Sequence, residues 1–150
     1  MASCVALVAG TFVGWPLAAR ALAHNLPPQA EANLALLAEE QVAFMGEPCV
    51  SASSDLDALD AMNRLVLQLD EAAGGATPGL RVDVIDAAFP NAFALPGGSI
   101  YVTDDLIAMT QTPDELAGVL AHELAHVRER HALEAFIRQA GLGIVGVILV

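Results

Sequence analysis

The sequence predicts an α+β domain, mostly helical with a small sheet, behind an apolar N-terminal segment. Three observations predict it. Residues 29–44, 54–69 and 112–127 repeat apolar side chains at helical spacing. Residues 81–86 alternate, and residues 91–103 read as two strands about a Pro-Gly-Gly turn. Residues 1–19 carry no charged side chain.

That uncharged run is long enough for a marginal transmembrane helix, which needs about 20 residues. A cleaved signal peptide competes, because Ala21-Leu22-Ala23 resembles a cleavage site, but there is no basic n-region. Residues 1–23 are therefore assigned to a transmembrane anchor or signal segment, and residues 27–150 to the folded domain. Arg20 is the only flanking side-chain charge, so the positive-inside rule does not fix orientation. Pro27-Pro28 interrupts the chain, and an amphipathic helix over 29–44 ends near Gly46-Glu47-Pro48. The next helix starts at Ser54 and places Leu56, Leu59, Met62, Val66 and Leu69 on one face. Asp55, Asp57 and Asp60 read as first-turn acids favoured by the helix dipole rather than a calcium cluster. Residues 74–79 form a glycine-rich loop before the strands. Thr112 reads as an N-cap, Pro113 as the first helical residue, and Glu115 as completing a capping box. Leu116, Val119, Leu120, Leu124 and Val127 then make one apolar stripe, on a helix expected to continue past His131.

Composition narrows the function classes. The 150 residues suffice for one domain with a core. Hydrophobic residues make up 55%, and mean hydropathy is +0.55, much of it from the two ends. Net charge is −12, and six Lys plus Arg leave no basic patch for nucleic acid. Cys4 and Cys49 lie in different settings and are not expected to pair. Residues 141–150 are wholly apolar but too short to span a bilayer. Gly141, Gly143 and Gly146 spell G-x-G-x-x-G, yet they follow a helix rather than a strand, so no nucleotide site is assigned.

The chemistry is concentrated in His122-Glu123-Leu124-Ala125-His126, an H-E-x-x-H motif inside the last helix. Histidines four apart lie on one helical face, so their imidazoles can converge on one Zn²⁺ at about 2.0–2.1 Å. Glu123 is rotated by about 100° and is placed to hold a water at the metal rather than the metal itself. A carboxylate there can take the proton of water attacking a carbonyl, which is the working half of a metallopeptidase site.

Asn91-Ala92-Phe93-Ala94-Leu95-Pro96-Gly97-Gly98, Asp114-Glu115-Leu116 and the stretch from His122 to His131 together resemble one family. It is that of the membrane-associated zinc metallopeptidases of the HtpX and CAAX-prenyl-protease kind, peptidase family M48. The match is dense over 81–131 and thinner over 27–69. The resemblance implies a zincin-like, gluzincin-type fold holding one Zn²⁺ per chain. It implies His122 and His126 as metal ligands and Glu123 as the catalytic base. It also implies that the second hairpin strand, with Ser99, Ile100, Tyr101 and Val102, is a substrate-binding edge to which a peptide backbone adds.

One departure stands out. Gluzincins take a third ligand from a glutamate on a later helix, often in an E-x-x-x-D pattern, and none follows His131. On a continuous helix His131 falls about 140° beyond His126 and points away from the metal. Glu129 and Glu134 would need that helix to break. The expectation is a domain truncated at its C-terminus, with a glutamate beyond Val150 as third ligand and the fragment alone inactive. Two functions follow. The first is a zinc-dependent endopeptidase of membrane protein quality control, with protein or peptide substrates and a contact to membrane lipid. Its expected location is the bacterial inner membrane with the catalytic domain periplasmic. The alternative is a non-catalytic, membrane-associated peptide-binding module with a zincin fold, which the intact Glu123 disfavours. No motif speaks to oligomeric state.

Overall fold

A computed structural model describes residues 14–49 and 53–140. Helices α1 (Trp15–Asn25) and α2 (Pro28–Val42) come first, then the short strand β1 (Glu47–Pro48) and helix α3 (Ser53–Ala72). Strands β2 (Arg81–Asp86), β3 (Ala92–Ala94) and β4 (Ser99–Thr103) follow, with a 3₁₀ turn at Pro96–Gly98 between the last two. Helices α4 (Asp104–Met109), α5 (Pro113–Arg128) and α6 (His131–Ala140) end the described chain. The helices expected over 29–44, 54–69 and 112–127 and the strands expected over 81–86 and 91–103 are present, while residues 1–13 and 141–150, which hold much of the apolar ends, lie outside the described residues.

Among the described residues the sheet has four strands in the order β1-β2-β4-β3. Strand β4 runs parallel to β2, pairing Arg81 with Ser99 and Ile85 with Thr103, and antiparallel to β3, pairing Phe93 with Tyr101. The expectation for Ser99–Thr103 is thereby corrected: this strand is interior and paired on both sides. The physical reason is length and burial. Five residues, with Ser99, Ile100, Val102 and Thr103 buried, fill the space between β2 and the three-residue β3, which is left as the edge.

Alternation assigns the two faces. Val82, Val84, Ile100 and Val102 pack against Met62 and Val66 of α3 and against Leu120 and Leu124 of α5. Leu116 and Val127 border the same core, as the predicted stripe requires, whereas Leu56 of α3 is 53% exposed. The other face meets α2 at Val42 and, through the hydroxyl of Ser99 (3.1 Å), at Glu39. At the hairpin, Gly98 has φ +97, and a Cβ there would stand 2.6 Å from the carbonyl oxygen of Pro78. Glycine lets the hairpin turn lie directly against the 74–79 loop.

A second core joins the helices. Ala19, Ala23, Leu26, Ala30 and Leu34 of the N-terminal pair bury against Leu133 and Ile137 of α6. The buried positions of α2 (Ala30, Leu34, Ala38 and Val42) recur every four residues, which keeps them on one face. The Trp15 indole N–H donates to the Arg138 carbonyl at 3.3 Å. Residues 15–23, expected in the anchor or signal segment, thus belong to a packed helical layer. Among the described residues no helix is long and apolar enough to cross a membrane.

Candidate metal centre

Helix α5 begins as its sequence requires. The Thr112 hydroxyl accepts from the Glu115 N–H at 3.3 Å, and Pro113 opens the first turn. The Glu115 carboxylate accepts from the N–H of Gln111 at 2.7 Å, one residue before the cap, so the capping box closes one position early. Leu120 and Leu124 anchor the helix in the core. This fixes the rotation of its neighbours: His122 is exposed, His126 half-buried and Glu123 buried.

The Nε2 atoms of His122 and His126 are 3.2 Å apart. Two nitrogens held at about 2.0–2.1 Å from one tetrahedral ion stand about 3.3 Å apart. The pair therefore fits as half of a zinc coordination sphere. Among the described residues no group of three His, Cys, Asp or Glu side chains is placed to hold a metal. Burial pushes the Glu123 carboxyl above its usual range, and His126, His122 and the Ala94 N–H pull it partly back. The Ala94 contact places the Glu123 carboxyl beside strand β3.

The geometry of that edge follows from the hairpin. The Leu95 N–H donates to Ser99 at 2.8 Å, and the Thr103 N–H donates to Asn91 at 3.0 Å. Antiparallel bonding alternates, so Asn91, Phe93 and Leu95 face β4, while the backbone groups of Ala92 and Ala94 face outward. Among the described residues the outward edge is thus Ala92 and Ala94, and the Ala94 N–H on it donates to the Glu123 carboxyl. Ile100 and Val102 instead serve the core, Ser99 binds Glu39, and Tyr101 stacks on Phe93 with ring centroids 5.7 Å apart. The hairpin's place near the metal helix was visible in the sequence, but which of its strands is free was not.

His131 also departs from expectation. Helix α5 stops at Arg128, and Arg130 adopts φ +55, so the chain turns before α6 begins at His131. The break carries His131 back, with its Nδ1 at 2.9 Å from Nδ1 of His126 and ring centroids 5.1 Å apart. Arg130 donates to the Ala23 carbonyl and to Glu31, both at 2.7 Å. Glu134, on the far side of the break, pairs with Arg138 at 3.7 Å. Neither glycine nor proline marks positions 129–131, so no local signal announced the turn.

A mixed sheet with an H-E-x-x-H helix beside its short edge strand defines a domain of the metallopeptidase class. The chain belongs to peptidase family M48, whose model matches residues 59–150. It is 42% identical over 93 residues to a protease HtpX homolog of Acidiphilium cryptum, covering 59% of this chain and 32% of that protein. It is 38% identical over 79 residues to the mitochondrial metalloendopeptidase OMA1 of Schizosaccharomyces pombe, covering 51% and 23%. Over 61 residues it is 46% identical to the beta-barrel assembly-enhancing protease of Yersinia pestis, covering 39% and 13%. The chain spans less than a third of the length of each of these curated relatives.

Proposed function

We propose that the protein is a zinc-dependent endopeptidase that acts on extended protein or peptide segments at a membrane. The observation that carries this reading is the 3.2 Å approach of the two Nε2 atoms, with a buried Glu123 between them and the open edge of β3. Bound zinc would polarise the scissile carbonyl and acidify the attacking water. His122 and His126 would hold the ion through Nε2. Glu123 takes the proton from water and delivers it to the leaving amine, and burial favours the protonated form it passes through. The backbone N–H and C=O of Ala92 and the C=O of Ala94 align the substrate as an added antiparallel strand, irrespective of its side chains. The printed names of the relatives, metalloendopeptidase and protease, support the reaction class.

A glutamate beyond Val150 completes the coordination, a reading supported by the small share of its relatives that this chain spans. We extend the proposal to attachment at a bacterial inner membrane with the catalytic domain on the periplasmic side and to a role in membrane protein quality control; the uncharged residues 1–13, ahead of the packed helix α1, support the attachment alone. In the full-length protein, Glu123→Gln should retain zinc and lose peptide hydrolysis, because an amide cannot accept the water's proton. His126→Ala should lose both. Hydrolysis by the Glu123→Gln protein would remove Glu123 from the general-base role. Zinc-loaded wild type that binds extended peptides without cutting them would favour a binding module.

A further inference from the structure

We propose that His131 is a positioning residue of the metal centre, acting through His126, and that Arg130 puts it in place. The inference rests on the two-histidine reading above. A neutral imidazole that offers Nε2 to a metal carries its proton on Nδ1, and that N–H needs an acceptor to fix the ring. The Nδ1 of His131 lies 2.9 Å from the Nδ1 of His126. The two nitrogens of an imidazole lie on opposite sides of the ring, so His131 stands behind His126 while His122 stands in front, at 3.2 Å from its Nε2. His131 thus acts from outside the coordination sphere. Accepting at Nδ1, it keeps its own proton on Nε2. In the metal-free protein one set of tautomers satisfies the whole row: His122 donates from Nε2 to His126, and His126 donates from Nδ1 to His131; a bound metal would replace the first bond and keep the second.

The row exists only because the helix breaks. On a continuous helix His131 would point about 140° away from His126. The left-handed conformation of Arg130 (φ +55) is uncommon for a long side chain and persists where surrounding contacts determine it. Those contacts are the Ala23 carbonyl at the end of α1 and the Glu31 carboxylate in the first turn of α2, each 2.7 Å from the guanidinium. The α1–α2 layer therefore reaches the metal ligand through two residues: Arg130 sets the turn and His131 holds the ring.

Two readouts on the full-length protein test this. The first is long-range ¹H–¹⁵N correlation on the metal-free protein, which reports the tautomer of each histidine. Wild type should show His126 protonated at Nδ1. His131→Ala should shift it toward Nε2, and His131→Asn, whose carbonyl can accept, should restore it. The second is zinc affinity by chelator competition. His131→Ala should weaken binding by about 10–100-fold, with recovery in His131→Asn and an intermediate loss in Glu31→Gln. An unchanged His126 tautomer in His131→Ala, or zinc affinity within twofold of wild type, overturns the proposal. A wild-type protein that takes up no zinc overturns the metal reading instead, and the tautomer of His126 still decides the role of His131.

Discussion

Replacing Asp70 with asparagine should destabilise the fold by about 2 kcal/mol at pH 7, and by much less at pH 3. Asp70 lies in the last turn of α3 and is 5% exposed. Its carboxylate accepts from the Thr77 hydroxyl at 2.6 Å, from the Thr77 N–H at 3.0 Å and from Arg128 at 3.2 Å. It thereby joins α3, the 74–79 loop and the C-terminal end of α5. The two Thr77 bonds, with Arg128 behind them, hold the carboxyl below its usual value despite burial. A hydrogen bond to a charged group is worth about 1.5–3 kcal/mol. Asparagine keeps the shape and one acceptor oxygen but loses the charge and turns an amide donor toward a remaining donor. Arg128 is one-third exposed, so its share is small, and about 2 kcal/mol remains. The sign follows from the depressed carboxyl. The stabilisation is full above the unfolded value of about 3.9 and disappears as pH falls through the lower folded value. Urea unfolding of wild type and Asp70→Asn at pH 7 and pH 3 measures both, with a midpoint shift at pH 7 of about 1 M. A gap below about 0.5 kcal/mol at pH 7, or an equal gap at both pH values, would refute the reasoning.

Gly98→Ala should cost about 2–5 kcal/mol in the same assay. A side chain at φ +97 strains the backbone, and its Cβ, 2.6 Å from the Pro78 carbonyl, would push the two turns apart. Loss under 1 kcal/mol would mean that the turns are not in rigid contact. The edge strand separates two proline variants. Ala92→Pro removes an outward N–H and should lower kcat/KM with zinc still bound. Phe93→Pro removes a bond to β4 and should lower stability. Equal effects of the two on kcat/KM, with stability unchanged in both, would contradict the alternation of the hairpin.

Much of this was legible locally. Thr112, Pro113 and Glu115 mark the start of α5, and the four-residue spacing of His122 and His126 needs only a helix to bring their Nε2 atoms together. Alternation over Arg81–Asp86 gave that strand and its inward face. The misses are tertiary. Alternation says which way Ile100 and Val102 point but not what lies beside their strand. The parallel pairing with β2, 18 residues upstream at Arg81 and Ser99, is what puts β4 inside. The turn at Arg130 comes from a clasp to Ala23 and Glu31, residues about a hundred positions away, and it overrides a sequence that reads as continuous helix. An apolar run that includes Ala19 and Ala23 satisfies a bilayer or a helix interface equally well. The packing of those alanines on Leu133 and Ile137 required the partner helix to be known.

X-ray absorption at the zinc edge of the full-length, zinc-loaded protein reads the ligand set itself, because imidazole rings give a distinctive outer-shell scattering that counts them. Two imidazoles are expected, from His122 and His126, with oxygen donors completing the sphere and no change on Glu123→Gln. A third imidazole would make His131 a ligand rather than the partner behind His126, and a spectrum with none would contradict the metal centre itself.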